Sequence, residues 1–117
     1  MIRKTKTDKG KSKKKFKFKS KVIVWKEGYD KNDSGLWRFA RVPENISVKI
    51  KEMQKGRLRR GWGAIYVRAK TGKSKWLTSI FPDRHSETYI LPLKKQIRYQ
   101  ENLYDGIDIN VSIEIWF

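Results

Sequence analysis

The 117-residue chain contains no cysteine. That excludes disulfides, a thiol nucleophile and any cysteine-built zinc or iron–sulfur centre. A single histidine, His85, leaves no histidine pair for a metal, and no metal or cofactor is expected. Acidic residues are scarce, 12 against 29 Lys/Arg, and scattered. Asp30 and Asp33 fall in a loop, Asp105 and Asp108 lie around a turn, and calcium-loop spacing is missing. No apolar run approaches the ~20 residues of a membrane helix. The N-terminal lysine tract is not followed by an apolar signal core, so the expected location is cytoplasmic, with no membrane partner.

What is present in excess is positive charge. The formal net charge is +17, and it is unevenly placed. Residues 1–21 hold eleven Lys/Arg and one acid, Asp8, which leaves 18 basic and 11 acidic residues for the rest. Met1 to Lys14 has almost no apolar residue after Ile2 and cannot bury enough surface to offset ordering. The expected organisation is therefore a disordered basic arm, 1–14, and one domain, 15–117. A basic arm on a mildly basic body is an electrostatic footprint of nucleic-acid binding, and it is equally what a solubilising tail looks like.

From Lys15 the pattern changes to strict alternation. A strand over Lys15–Val22 directs Phe16, Phe18 and Val22 inward and lines Lys15, Lys17, Lys19 and Lys21 along one outer face, ~6.6–6.8 Å apart. Such a row can track a phosphate backbone or protect an edge strand from aggregation. Val22–Trp25 continues the strand, residues 28–35 read as a loop, and Leu36–Val42 is a second strand stopped by Pro43. Behind that proline Ile46, Ile50 and Met53 recur at helical spacing, with Glu44 near the positive end of the dipole. Gly56 closes this helix. Lys55, Arg57, Arg59 and Arg60 then form the densest basic cluster of the body.

Trp62–Lys70 and Lys75–Phe81 are β-branched and aromatic and flank Thr71-Gly72, the pattern of a hairpin. Glycines either side of Trp62 point to a bulge or a close backbone approach. Trp62 and Trp76 are expected in the core, a ligand-stacking Trp62 being the alternative. Pro82-Asp83 reads as a turn, Thr88–Leu91 as a strand stopped by Pro92, Leu93 and Ile97 as a helical face, and Ile107–Trp116 as an alternating last strand. Two units thus run strand, proline, helix, glycine, long strand. The expected fold is mainly β, a small barrel of about six strands and two short helices with an internal pseudo-two-fold axis, closed within a monomer.

Three ordered motifs carry a family resemblance: Gly61 to Val67, Trp76 to Asp83, and Tyr89 to Arg98. With them, about Phe16 to Trp116 resembles an uncharacterised bacterial family, the domain of unknown function numbered 1905, seen alone or joined to a bacteriocin-protection domain. The resemblance implies a double-split β-barrel, similar in fold to the DNA-binding barrels of antitoxins and transition-state regulators, and implies no agreed activity. The family tends to open its last strand with Gly-Asp, whereas here Gly106 is followed by Ile107 and the acid comes at Asp108.

Motifs for catalysis are weak. Gly72-Lys73-Ser74 resembles the end of a P-loop, yet Val67 stands where that loop needs glycine and the run lies in a hairpin turn. Ser79 is in no nucleophile elbow, and His85 has no placed third partner. The expectation is a binding module without catalytic activity. Its first candidate site joins Lys9, Lys11, Lys13 and Lys14 of the arm, Lys15, Lys17, Lys19 and Lys21 of the first strand, and Lys55, Arg57, Arg59 and Arg60, contacting nucleic-acid phosphates without sequence preference. The alternative is an anion or small-molecule site at Lys94, Lys95 and Arg98, where free backbone N–H groups open a helix. A third reading is a barrel docking to a protein, with a tail that only solubilises it.

Overall fold

A computed structural model describes residues 13–25, 37–55 and 63–116. The elements in order are β1 (Lys13–Lys21), β2 (Ile23–Trp25), β3 (Trp37–Arg41), α1 (Glu44–Lys55), β4 (Ile65–Thr71), β5 (Ser74–Asp83), β6 (Thr88–Pro92), α2 (Lys95–Gln100) and β7 (Asp108–Trp116). The expected mainly β architecture is what the chain adopts, with two helices among the described residues. Seven strands replace six because the first long strand breaks at Val22.

The strands lie in the order β1-β7-β4-β5-β6-β3-β2, and every pairing is antiparallel. β1 and β2, at opposite ends of this order, are separated in the chain by Val22 alone. The sheet therefore curls until its ends are one bent segment. Ser20 marks the closure: its hydroxyl accepts the Arg41 N–H of β3 at 2.9 Å and donates to Lys21 O. β5 bends in the same way, pairing β4 through residues 74–80 and β6 through 81–83. Exchange of β1/β2 with β5, β3 with β6 and β4 with β7 leaves the order unchanged, which is the topology of the pseudo-two-fold read from the prolines and glycines.

Alternation supplies the core. Phe16 and Phe18 of β1, Val67 and Ala69 of β4, Trp76 and Ile80 of β5, and Ile109, Val111, Ile113 and Ile115 of β7 are buried in one cluster. β6 is buried on both faces, because α1 packs over it. Ile50 of α1 is fully buried, and Ser47 beside it accepts the Tyr89 N–H at 3.1 Å and donates to Val42 O at 3.1 Å, so its hydroxyl sits satisfied in the interior. Trp76 is 7% exposed, as expected of a core ring. Trp62 lies outside the described residues.

Three local expectations shift. β1 begins at Lys13, not Lys15: Lys13 pairs with Trp116 and Lys14 with Ile115, so both belong to the sheet and not to the arm. Pro82-Asp83 is not a turn but the end of β5, Pro82 standing opposite Tyr89, and the turn is residues 84–87 with Glu87 at φ 58°. The hairpin turn sits one residue later than Thr71-Gly72, since Thr71 pairs with Ser74 and leaves Gly72 and Lys73 as the loop. Gly72 at φ 59° in the first central position has the backbone of a type II′ turn.

Candidate functional site

The outer face of the sheet formed by β1, β7, β4 and β5 is where charge collects. Because side chains alternate on every strand, the register decides which outward residues are neighbours. One row reads Lys15, Glu114, Arg68, Leu77, and the next reads Lys17, Ser112, Lys70, Lys75. Neighbours within a row are ~4.8 Å apart and successive rows ~6.7 Å apart. Lys13, Lys19 and Lys21 extend the β1 edge of the face, opposite Trp116, Asn110 and Asp108. Lys14, by the same alternation, stands on the other side of β1.

Among the described residues, two acids stand on this face. Glu114, whose side chain is only 15% exposed, has Lys13, Lys15 and Arg68 at 3.7, 4.0 and 3.5 Å, and Asp108 pairs with Lys21 at 3.1 Å. No acid among the described residues pairs with Lys17, Lys70 or Lys75. Lys70 and Lys75 stand directly opposite each other, a like-charge cross-strand pair that opposes sheet formation. Edge protection accounts for lysines on β1, but β4 is an interior strand of this sheet and needs none. Lys17, Lys70, Thr71, Gly72, Asn110 and Ser112 line an open depression of about 320 Å³ on the face.

Aromatic side chains border the charge. Tyr66 and Trp116, the outward residues next beyond the Val67–Ile115 pair, are 61% and 36% exposed. The Arg68 guanidinium lies over the Trp116 ring, 5.4 Å from its centroid.

Of the residues expected to bind nucleic acid, the fold brings Lys13, Lys15, Lys17, Lys19 and Lys21 together. Lys9, Lys11, Arg57, Arg59 and Arg60 lie outside the described residues, and Lys55 is described only as the last backbone position of α1. Arg68, Lys70, Lys75, Tyr66 and Trp116 were missed. The alternation Tyr66, Arg68, Lys70 is visible in the chain, but nothing local says that β7 seats it beside the β1 lysines.

The second candidate site is differently built. Lys94, Lys95 and Arg98 do line a common hollow of about 190 Å³, with Trp37, Arg38, Pro92 and Leu93. Arg98 Nε, however, donates to Leu93 O at 3.0 Å, Lys95 Nζ sits 5.7 Å from the Tyr99 ring centre, and α2 has only six residues. Glu101, just past the end of α2, holds the β4–β5 turn, accepting Ser74 Oγ at 2.6 Å and the Lys73 N–H at 3.2 Å. That is the role of the Gly72-Lys73-Ser74 run.

A third polar cluster is closed on itself. Arg41 Nη1 reaches Asp83 Oδ2, Ser86 Oγ and Thr88 Oγ1 at 3.0, 2.7 and 2.9 Å, tying the β5–β6 turn to β3. Burial pushes the Asp83 carboxyl up, but hydrogen bonds from Arg41, Ser86 and the His85 N–H outweigh it and leave the group below its ordinary value of 3.8. Ser79 stands in β5 opposite Tyr66, and no hydrogen bond joins it to His85 among the described residues. Gly106, at φ 85°, donates its N–H to Val22 O, and Ile107 O accepts the Val22 N–H, so the departure at the last strand places Ile107 against the β1–β2 bend and Asp108 on Lys21. No helix among the described residues is long and apolar enough to cross a membrane.

The family model described as domain of unknown function (DUF1905) matches residues 18–113. No curated protein matches the chain.

Proposed function

The chain belongs to that family of unknown function, and from this premise we propose a non-catalytic module that binds nucleic acid through the basic outer face of its sheet. The observation that carries the reading is the Lys17–Ser112–Lys70–Lys75 row, where folding sets three cations side by side with no acid among them. Clustered cations that repel one another in the free protein are relieved by a polyanion, which is the electrostatic origin of phosphate affinity. The contacts are to phosphates, which carry no sequence information, so binding is non-specific. The lysines of residues 1–12 add to the net positive charge of the chain. Cations on the sheet are the ligand-contacting groups; the Arg41 cluster is engaged within the fold and acts in neither binding nor catalysis.

The test is the salt dependence of binding to a short duplex and to a single strand, read by fluorescence anisotropy. Affinity should fall log-linearly with salt, by a slope of about −0.9 per contacted phosphate on duplex and about −0.7 on single strands. The Lys17→Ala/Lys70→Ala double variant should shrink that slope while the melting temperature holds or rises. Absence of binding to either at low salt, where non-specific electrostatics is strongest, would falsify the reading.

A further inference from the structure

We infer that the nucleic acid this face takes is single-stranded, with phosphates over Lys15, Lys17 and Lys70 and unpaired bases stacked on Tyr66 and Trp116. The inference rests on the nucleic-acid reading above and adds to it the class of ligand. Its first support is shape. The charged face is the outside of a sheet that curls through seven strands until its ends meet, so it is convex across the strands. A stiff duplex touches a convex surface along a narrow line and brings few phosphates to it, whereas a single strand bends over it and follows the row.

The second support is chemistry. Tyr66 is 61% exposed on β4, beside Trp116 on β7, at the end of the face where Lys13 and Arg68 also stand. Two exposed rings flanked by cations form a stacking platform. Bases in a duplex already stack on one another and offer a flat surface only at the ends, while every base of a single strand has a free π-face for an aromatic ring. Arg68, lying over the Trp116 ring and held through Glu114, extends the flat surface and keeps its charge next to it. Alternation dictates that the rings and Lys15, Lys17 and Lys70 share one side of the sheet, so a single strand that crosses β1, β7 and β4 along the Lys17–Lys70 row has Tyr66 and Trp116 two rows away on the same face.

The third support comes from what these side chains do otherwise. Packing gains little from Tyr66 at this exposure, and the tyrosine interrupts no aggregation-prone edge, since β4 lies between β7 and β5. Lysine or threonine would serve a solvated interior strand as well. The ring at this position is accounted for by a ligand with a flat apolar surface.

The test uses the 117-residue chain with a labelled 12-nucleotide single strand of mixed sequence and the corresponding 12-base-pair duplex, at matched phosphate concentration and two salt concentrations. The single strand should bind at least several-fold more tightly. Tyr66→Ala and Trp116→Ala should each weaken single-strand binding roughly fivefold to a hundredfold, the range of one base–aromatic stack, and leave the salt slope unchanged because no phosphate contact is lost. Trp116→Phe keeps a ring and should retain most of the affinity, and Tyr66, the more exposed of the two, provides a variant whose folding is not at stake. Duplex bound as tightly as the single strand, or a Tyr66→Ala variant with wild-type single-strand affinity, overturns the inference and leaves the electrostatic reading standing. No binding to either ligand overturns both.

Discussion

Gly72 shows how tightly a single position can be determined. It combines a φ of 59° with the approach of the Glu101 carboxylate to the point where a Cβ would stand. Gly72→Ala should therefore lose on the order of 1–2 kcal/mol from the backbone, and more from displaced Glu101. In a Glu101→Ala background the second component disappears. A double-mutant cycle by urea unfolding should accordingly give a coupling above about 0.5 kcal/mol, and additive effects would mean that Glu101 does not hold the turn. Tyr89 makes a different residue-scale case. It is fully buried, and burial pushes its hydroxyl from the ordinary 10.0 to about 12. The folded state thus keeps a proton that the unfolded state releases. Its contribution to stability is complete below pH 10 and is lost as pH rises to about 12. Urea midpoints measured from pH 9 to 12 should fall, and Tyr89→Phe should flatten the fall.

Among the elements, β5 and the β1–β2 segment do the same work at opposite sides of the barrel. Each bends once and is shared between two sets of partners, which lets six short pairings enclose one core. Trp76 sits in the first half of β5, paired with Ala69, where a small residue leaves room for the indole. Trp76→Ala should cost roughly 3–5 kcal/mol, measured by thermal or urea unfolding. A wild-type-like melt would mean that the ring is not core. The helices differ in duty: α1 covers β6 through Ile50 and Ser47, whereas α2 contributes Ile97 to the core and leads to Glu101 under the hairpin turn.

For the whole molecule the pairing of like units matters most. β3 pairs with β6 and β4 with β7, so each unit supplies what a second chain would supply in a barrel made from two copies. Light scattering at micromolar concentration should therefore give a monomer. An obligate dimer would overturn the internal two-fold as the means of closure. The net charge of +17 acts in the same direction, since copies of so basic a molecule repel one another at low salt.

Sequence alone determined the strands and the sides of their residues, because alternation is a local property: Phe16, Phe18 and the isoleucines of β7 face inward wherever β1 and β7 come to lie. Pro43, Pro92 and Gly106 likewise marked the repeated unit through backbone constraints that need no partner. Pairing order was not legible. That β7 lies between β1 and β4 depends on the closure of two bent strands around a shared core, a long-range event, and only this order puts Lys17 beside Ser112 and Lys70. The basic face was half visible for that reason, its β1 row written in the chain and its β4 and β5 cations, with Tyr66 and Trp116, assembled by the tertiary fold.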